Sequence, residues 1–535
     1  MAAPVPRICY IPLDERPCNA LFPGLHLGHA VELAVPPMSL LGAKKSPGNV
    51  DALAAWLEQE LPSCDACVAS VEQLMYGGLV PSRLHTEVPE ELEARLARLG
   101  AVFKRNAHVN INLFALIMRT PSYSSSEEEP DYYEHYGEAI YKRSVLRDRR
   151  DLGYEIDSCE LGRLDGEIPD SVIADYEHRR DVNRSILERV LELYAEGTVH
   201  YVAIPMDDSS RYGYTAADRR YVQRRIAELG LDGRVPVYPG ADETGMTLLA
   251  RAAVDHAGRA PSVFPLYRCE QARHHYPKYE GLELETTVTQ HIRAAGCKTA
   301  ESIDACDFVL AIHSGPRIEQ DAGEQPASVG REAGRGRREA GGDGGEPGRE
   351  QPGGDDFASR IAGLVGGGTR VAVADIAYAN GGDIRFVRAL DGGGALASLM
   401  AYGGWNTPGN TLGCVIATGV AQHLRANESS RVHGLLYRLF DDICYQVSVR
   451  RDLADETRQQ AARTTEDGAG NDPAAPAAFS PERIAGMINA SWDRLGLRSF
   501  RQTAPEVAVA ELPWNRLFEV GFRLSVKEYV AGFSG

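Results

Sequence analysis

Short apolar runs alternate with longer amphipathic stretches along most of this chain, and that alternation limits the fold more than any single motif. A strand crosses a sheet in a few residues, whereas a covering helix needs ten or more with apolar positions at helical spacing. Strands that alternate with helices build parallel sheets, since a parallel neighbour is reached only by a crossover. The runs predicted as strands are 7–13, 31–35, 66–71, 109–118, 200–206, 235–238, 262–266, 308–313, 370–375 and 396–401. Helical patterns fall among them at 90–105, 175–195, 216–229, 284–295 and 357–364. Gly or Pro commonly separates the pieces. The expected fold is α/β with a parallel (β/α)-barrel-like core, and two doubly wound α/β domains are the alternative. Ten candidate strands exceed an eight-stranded barrel, so a barrel would leave some at edges or in hairpins.

A length of 535 residues is more than one ordinary domain uses. Residues 1–427 are expected to form the α/β catalytic core. Within it, about 320–355 is almost entirely Gly, Glu, Arg, Asp, Pro and Gln. That composition cannot offset its ordering entropy, so a disordered insertion is expected. A shorter Ala/Pro/Asp-rich stretch at 464–478 reads the same way. Residues 428–535 are expected to form a small, mostly helical C-terminal region, with helices at 432–447 and 481–495 and a strand at 506–512.

Lys plus Arg total 57 against 75 Asp plus Glu, a net charge of −18 that repels nucleic acid and anionic membrane. A small-molecule or oligosaccharide substrate remains compatible with it. No run of about 18 apolar residues is present, so no membrane span is expected. The first seven residues lack a basic segment followed by an apolar one, so no secretory signal is expected. The ten cysteines are scattered. Cys64 and Cys67 form a lone C-x-x-C with no second pair to complete a zinc site. A cytoplasmic protein with reduced, structural thiols is the expectation. No cofactor is expected either. A glycine-rich dinucleotide fingerprint, a P-loop and a nucleophile elbow are all missing.

Polar residues gather at the C-terminal ends of the predicted strands and not at the opposite ends. A parallel sheet puts those ends on one edge, so the clusters would converge. The most informative is 235–245, where a β-branched run stops at Pro239-Gly240 and the acids Asp242 and Glu243 follow. Either acid would also serve as a helix cap. Together they form a candidate acid/base or charge-stabilising pair. Around them the same logic collects Asp14, Arg16, Tyr76, Arg119, Asp207, Asp208, Tyr378, Asn380, Asp383, Tyr402, Trp405 and Asn406 as candidate substrate-binding residues. Trp405, in a Gly-rich turn, is expected to offer a stacking platform for a pyranose ring. The segment 119–137 carries four serines, four tyrosines and an acidic cluster, and is expected to form a lid or specificity loop. No D-x-D or H-x-x-x-H spacing recurs, so no metal ligands are assigned.

The segments YIPLDERPCN, EQLMYGGLVPSR, MRTPSYSSSEEEPDYYEHYG, DDSSRYG, YPGADETG, VADIAYANGGD, AYGGWNTPGNTLG and LPWNRLFEV resemble a mainly bacterial family catalogued as domain of unknown function 4127. That resemblance implies no activity. The Asp-Glu pair after a strand is also similar to the pair in retaining β-N-acetylhexosaminidases. It implies that Asp242 orients the substrate's acetamido group, which attacks the anomeric carbon, while Glu243 protonates the leaving oxygen. Adjacent acids suit such substrate-assisted enzymes. The expected function is therefore a glycoside hydrolase cleaving β-linked N-acetylhexosamine, N-acetylgalactosamine or N-acetylglucosamine. One alternative is a metal-dependent hydrolase of a phosphoester or amide using Asp14, Asp207, Asp242, Asp375 and His313. The other is a non-catalytic carbohydrate-binding protein.

Overall fold

Two open parallel sheets organise the computed structural model, which describes residues 4–315, 354–466 and 479–526. Nearly all of the expected insertion at 320–355 lies outside the described residues, as does most of 464–478. The first sheet has six strands in the order Glu32–Ala34, Arg7–Ile11, Ala66–Ser70, Asn110–Phe114, Tyr201–Met206 and Val237–Pro239. The second has five, ordered Lys298–Thr299, Ser262–Tyr267, Phe308–His313, Val371–Asp375 and Ala401–Gly403. Every pairing within both sheets is parallel. The parallel α/β expectation is met. Among the described residues no closed barrel forms; the strands lie in two open parallel sheets.

All ten predicted runs contain strand residues: Phe308–His313 matches its run, most others are trimmed at one or both ends, and Val237–Pro239, Ser262–Tyr267 and Ala401–Gly403 extend past theirs. The segment 396–401 keeps only its last residue in a strand, because Leu396–Ser398 forms a tight helical turn first. Central strands are buried along their whole length, Ala66–Ser70 and Phe308–His313 among them, as helices on both faces require. Helix Pro89–Arg105 shows how the covering helices form. Proline sits in its first turn with Glu90 and Glu91, Lys104 and Arg105 lie in its last, and Leu92, Leu96, Leu99 and Phe103 make one buried stripe.

The two sheets are joined through a pair of buried helices. Thr244–Ala257 packs on the first sheet, Pro408–Leu424 packs on the second, and the two helices pack on each other. One apolar cluster runs through the joint and into the C-terminal helices. Glycine makes the close approach feasible: a Cβ on Gly413 would lie 2.1 Å from Glu243 Cγ.

Beyond residue 427 come helices Glu428–Arg438 and Arg450–Glu466, linked by wider π-type turns over Leu439–Val449, and then helix Pro481–Leu495. The strands Glu506–Glu511 and Gly521–Ser525 pair antiparallel. Their connection crosses to the strand ends of the first sheet, carrying Trp514, Arg516 and Glu519 with it. Among the described residues no helix is long and apolar enough to cross a membrane.

Candidate functional site

Strand Arg7–Ile11 leads into Asp14, Glu15 and Arg16, after which Pro17 starts a short helix. Arg16 is 4% exposed and holds three carboxylates. Its Nε donates to Asp14 Oδ2 at 2.9 Å, Nη1 donates to Glu519 Oε1 at 2.6 Å, and Nη2 binds Asp242. Asn19 Nδ2 donates to Asp14 Oδ1 at 2.9 Å and Asp242 Oδ1 at 3.2 Å. The Asp242 backbone N–H donates to Asn410 Oδ1 at 3.2 Å, and Asn406 Nδ2 reaches Asp242 Oδ2 at 3.5 Å. Asp242 thus gathers groups from two strand ends of the first sheet, one of the second, and the C-terminal connection.

A second set of ion pairs continues from it. Arg516 bonds Glu519 at 3.0 Å and also binds Glu128. Glu128 accepts from Arg119 Nη2 at 3.1 Å and Arg83 Nη1 at 3.0 Å. Arg119 Nε donates to Glu129 at 2.8 Å and Nη1 to Asp208 at 3.0 Å, while Arg83 also binds Asp207. Trp514 lies between two guanidinium groups, 4.7 Å from Arg16 and 4.4 Å from Arg516, and its Nε1 donates to Glu15. Arginine suits these positions because its planar fork binds two carboxylates and stacks on an aromatic face together.

The network sets proton affinities of opposite kinds. Burial pushes the Asp242 carboxyl up to about 7; Arg16 opposes the rise, while Glu519 and Asp14 reinforce it. Asp208 is pushed up to about 6 by burial and by Asp207. Burial alone would raise Glu128, but Arg119, Arg516 and Arg83 together hold it well below the usual range.

Glu243 faces the other way. Its Oε2 accepts from the Ala241 N–H at 2.9 Å, and Oε1 lies 3.2 Å from His291 Nε2, with no solvent exposure on either residue. Tyr238 packs against the His291 ring. Neighbouring Glu280 accepts from the Gly409 N–H at 2.6 Å, and burial pushes it up to about 8. The expected pair is therefore divided between two environments.

At the second sheet's strand ends, Tyr402 Oη donates to Asp375 Oδ2 at 2.8 Å and His313 Nε2 lies 3.4 Å from Asp383 Oδ2. Asp383 caps helix Ile384–Gly392. Asn380, held at a positive φ, donates from its backbone to the Asn406 carbonyl at 2.8 Å and links this cluster to the first. Trp405 corrects an expectation. It is 2% exposed, edge-on to Phe22 and beneath the Arg438 guanidinium, a core position and not an open platform. Tyr378, on the loop between Asp375 and Asn380, is 61% exposed. Tyr76 is buried against His85, lining a cavity of about 20 Å³ with Glu72, Arg83 and Asp207.

The model of the protein family of unknown function DUF4127 matches residues 8–523. The chain belongs to that family. No curated protein and no solved structure matches it.

In this DUF4127 chain, one group of metal-type donors among the described residues lies close together: Cys18, Asp242 and Glu519, within 4.8 Å of one another. Arg16 already bonds both Asp242 and Glu519, and burial pushes the Cys18 thiol well up, so the set suits a cation poorly. Asp14, Asp207, Asp242, Asp375 and His313 do not gather around a single point either. Sequence reasoning missed Arg83, Glu128, Glu129, Trp514, Arg516 and Glu519. The motif LPWNRLFEV pointed at the last three only as a likeness; no strand-end logic applied to them.

Proposed function

We propose that this protein is a glycoside hydrolase that cleaves β-linked N-acetylhexosamine with retention, centred on Asp242. The supporting observation is the pair Asp242 and Glu519. Their carboxylate oxygens come within 4.8 Å, and burial pushes the Asp242 carboxyl up to about 7. A carboxyl raised toward neutrality serves as general acid, and a second carboxylate beside it can balance a positively charged intermediate. The side-chain amides of Asn19 and Asn406 around Asp242 supply hydrogen-bonding partners for a 2-acetamido group.

In the proposed reaction the substrate's acetamido oxygen attacks the anomeric carbon. The bond to the leaving oxygen breaks as Asp242 transfers its proton to that oxygen. Glu519 balances the positive charge on the cyclic intermediate, and water then opens it and returns a proton to Asp242. These roles differ from those expected from sequence, since the surroundings of Glu243 favour it as a positioning residue that folds the 240–244 turn. Arg119, Asp207 and Asp208 are proposed to bind sugar hydroxyls.

The test is a panel of aryl glycosides that includes 2-acetamido and plain sugars. Hydrolysis of the 2-acetamido members is the expected result, with Asp242→Asn lowering kcat about 10²–10⁴-fold while the fold is kept. An Asp242→Asn variant with full turnover would overturn the assignment, and a panel with no hydrolysis would overturn the class.

A further inference from the structure

We propose a second binding site, for a small polyanion, at the edge of the sheets opposite the Asp242 cluster. A cleft of about 580 Å³ lies there, lined by Arg234, Arg251, Arg259, Arg293 and Lys298, with Asp255 as its one acidic residue. Tyr201 opens a strand of the first sheet and Lys298 lies in the edge strand of the second, so the cleft spans the junction. Five cations around one cleft run against the whole chain, whose net charge is −18.

Two of the five are already neutralised. Arg251 lies 3.6 Å from Asp255, and Arg259 bonds Asp307 at 2.8 Å. Arg234, Arg293 and Lys298 have no acidic partner among the described residues, and all three are exposed. Two of the arginines rest on buried rings: Arg251 stands 3.5 Å from the centroid of Tyr201, and Arg234 stands 4.9 Å from that of Tyr194. Stacking fixes a guanidinium plane and lowers the entropy lost when its N–H groups bind a ligand. Three uncompensated cations around a space of ligand size fit a molecule with at least two tetrahedral oxyanions. Phosphate and sulfate share that chemistry, so a phosphorylated metabolite or a sulfated sugar would supply it.

Isothermal titration of the full chain at low ionic strength tests the site with two probes, inorganic pyrophosphate and a disulfated disaccharide. Binding of at least one is expected, weakened at least tenfold in the double variant Arg293→Glu with Lys298→Glu. These side chains are exposed, so the variant should fold. Charge reversal at Arg163, on the separate helix Ser158–Glu167, should leave binding unchanged. Preference for pyrophosphate points to a phosphorylated ligand and preference for the disaccharide to a sulfated glycan; either supports the site. No binding of either probe, or unchanged binding in the double variant, overturns it. Glycosidase assays report on the Asp242 cluster separately, so the two proposals fail independently.

Discussion

Asp242 and Glu243 are adjacent in the chain, yet Asp242 binds Arg16 and Asn19 at the strand ends while Glu243 turns inward to His291. The turn that separates them is built by Glu243 itself, whose carboxylate accepts the Ala241 N–H. If Asp242 is the proton donor, kcat falls as pH rises through about 7, because the proton it must deliver is lost there. Glu243→Gln should keep that pH limit and lower kcat through loop geometry. A Glu243→Gln variant whose alkaline limit disappears would return the acid role to Glu243.

Glu280 gives a stability test free of catalysis. Its carboxyl is raised from about 4.5 to about 8 by burial, so the folded state holds a proton that the unfolded state has released. Its contribution is complete below pH 4.5 and is lost as pH rises to about 8. Glu72, raised by burial to about 7, acts with the same sign. Thermal melts should therefore show the wild type losing stability between pH 5 and 8. Glu280→Gln has no proton to lose and should melt a few degrees higher than wild type at pH 8.

Arg180 and Asp218 form a buried pair at 2.6 Å, and Arg180 also donates to the carbonyls of Met118 and Arg119 at 2.9 and 3.0 Å. Asp218→Ala leaves an uncompensated buried guanidinium, which costs about 3–5 kcal/mol. Denaturant unfolding should register that loss. Arg180→Met with Asp218→Leu, which removes both charges, should recover part of it.

Gly413→Ala sets two effects against each other. Alanine inside a helix normally gains about 0.5–1 kcal/mol over glycine. Here the added methyl would meet Glu243 Cγ at 2.1 Å, and overpacking costs about 1–3 kcal/mol. A lower melting temperature is expected. Gly486→Ala in helix Pro481–Leu495, where nothing lies within 4 Å of the added carbon, should raise it slightly.

Under the proposed mechanism, removal of metals should leave hydrolysis intact, because Arg16 already bonds Asp242 and Glu519. Activity after dialysis against a chelator checks this. Loss on chelation with recovery on adding a divalent ion would favour the metal-dependent alternative.

Much of the scaffold was legible because strand ends are local features. Asp14, Arg16, Arg119, Asp207, Asp208 and Asp242 each follow an apolar run, and the structure ties them into one network. What escaped was non-local. The acidic run holding Glu128 and Glu129 was expected in a lid or specificity loop, and its pairing with Arg83 and Arg119 was not legible because those partners come from separate strand ends. Trp405 looked exposed because a Gly-rich turn says nothing about Phe22 and Arg438, which enclose it. A barrel was preferred over two sheets because the periodicity of a strand does not reveal which neighbour it pairs with.

The connection that brings Glu519 onto Arg16 has a consequence for how the molecule is made. These residues are 503 positions apart, so both ends of that span must be translated before their ion pair can form. A chain cut before Glu519 would therefore lack the carboxylate that joins Arg16 to Arg516.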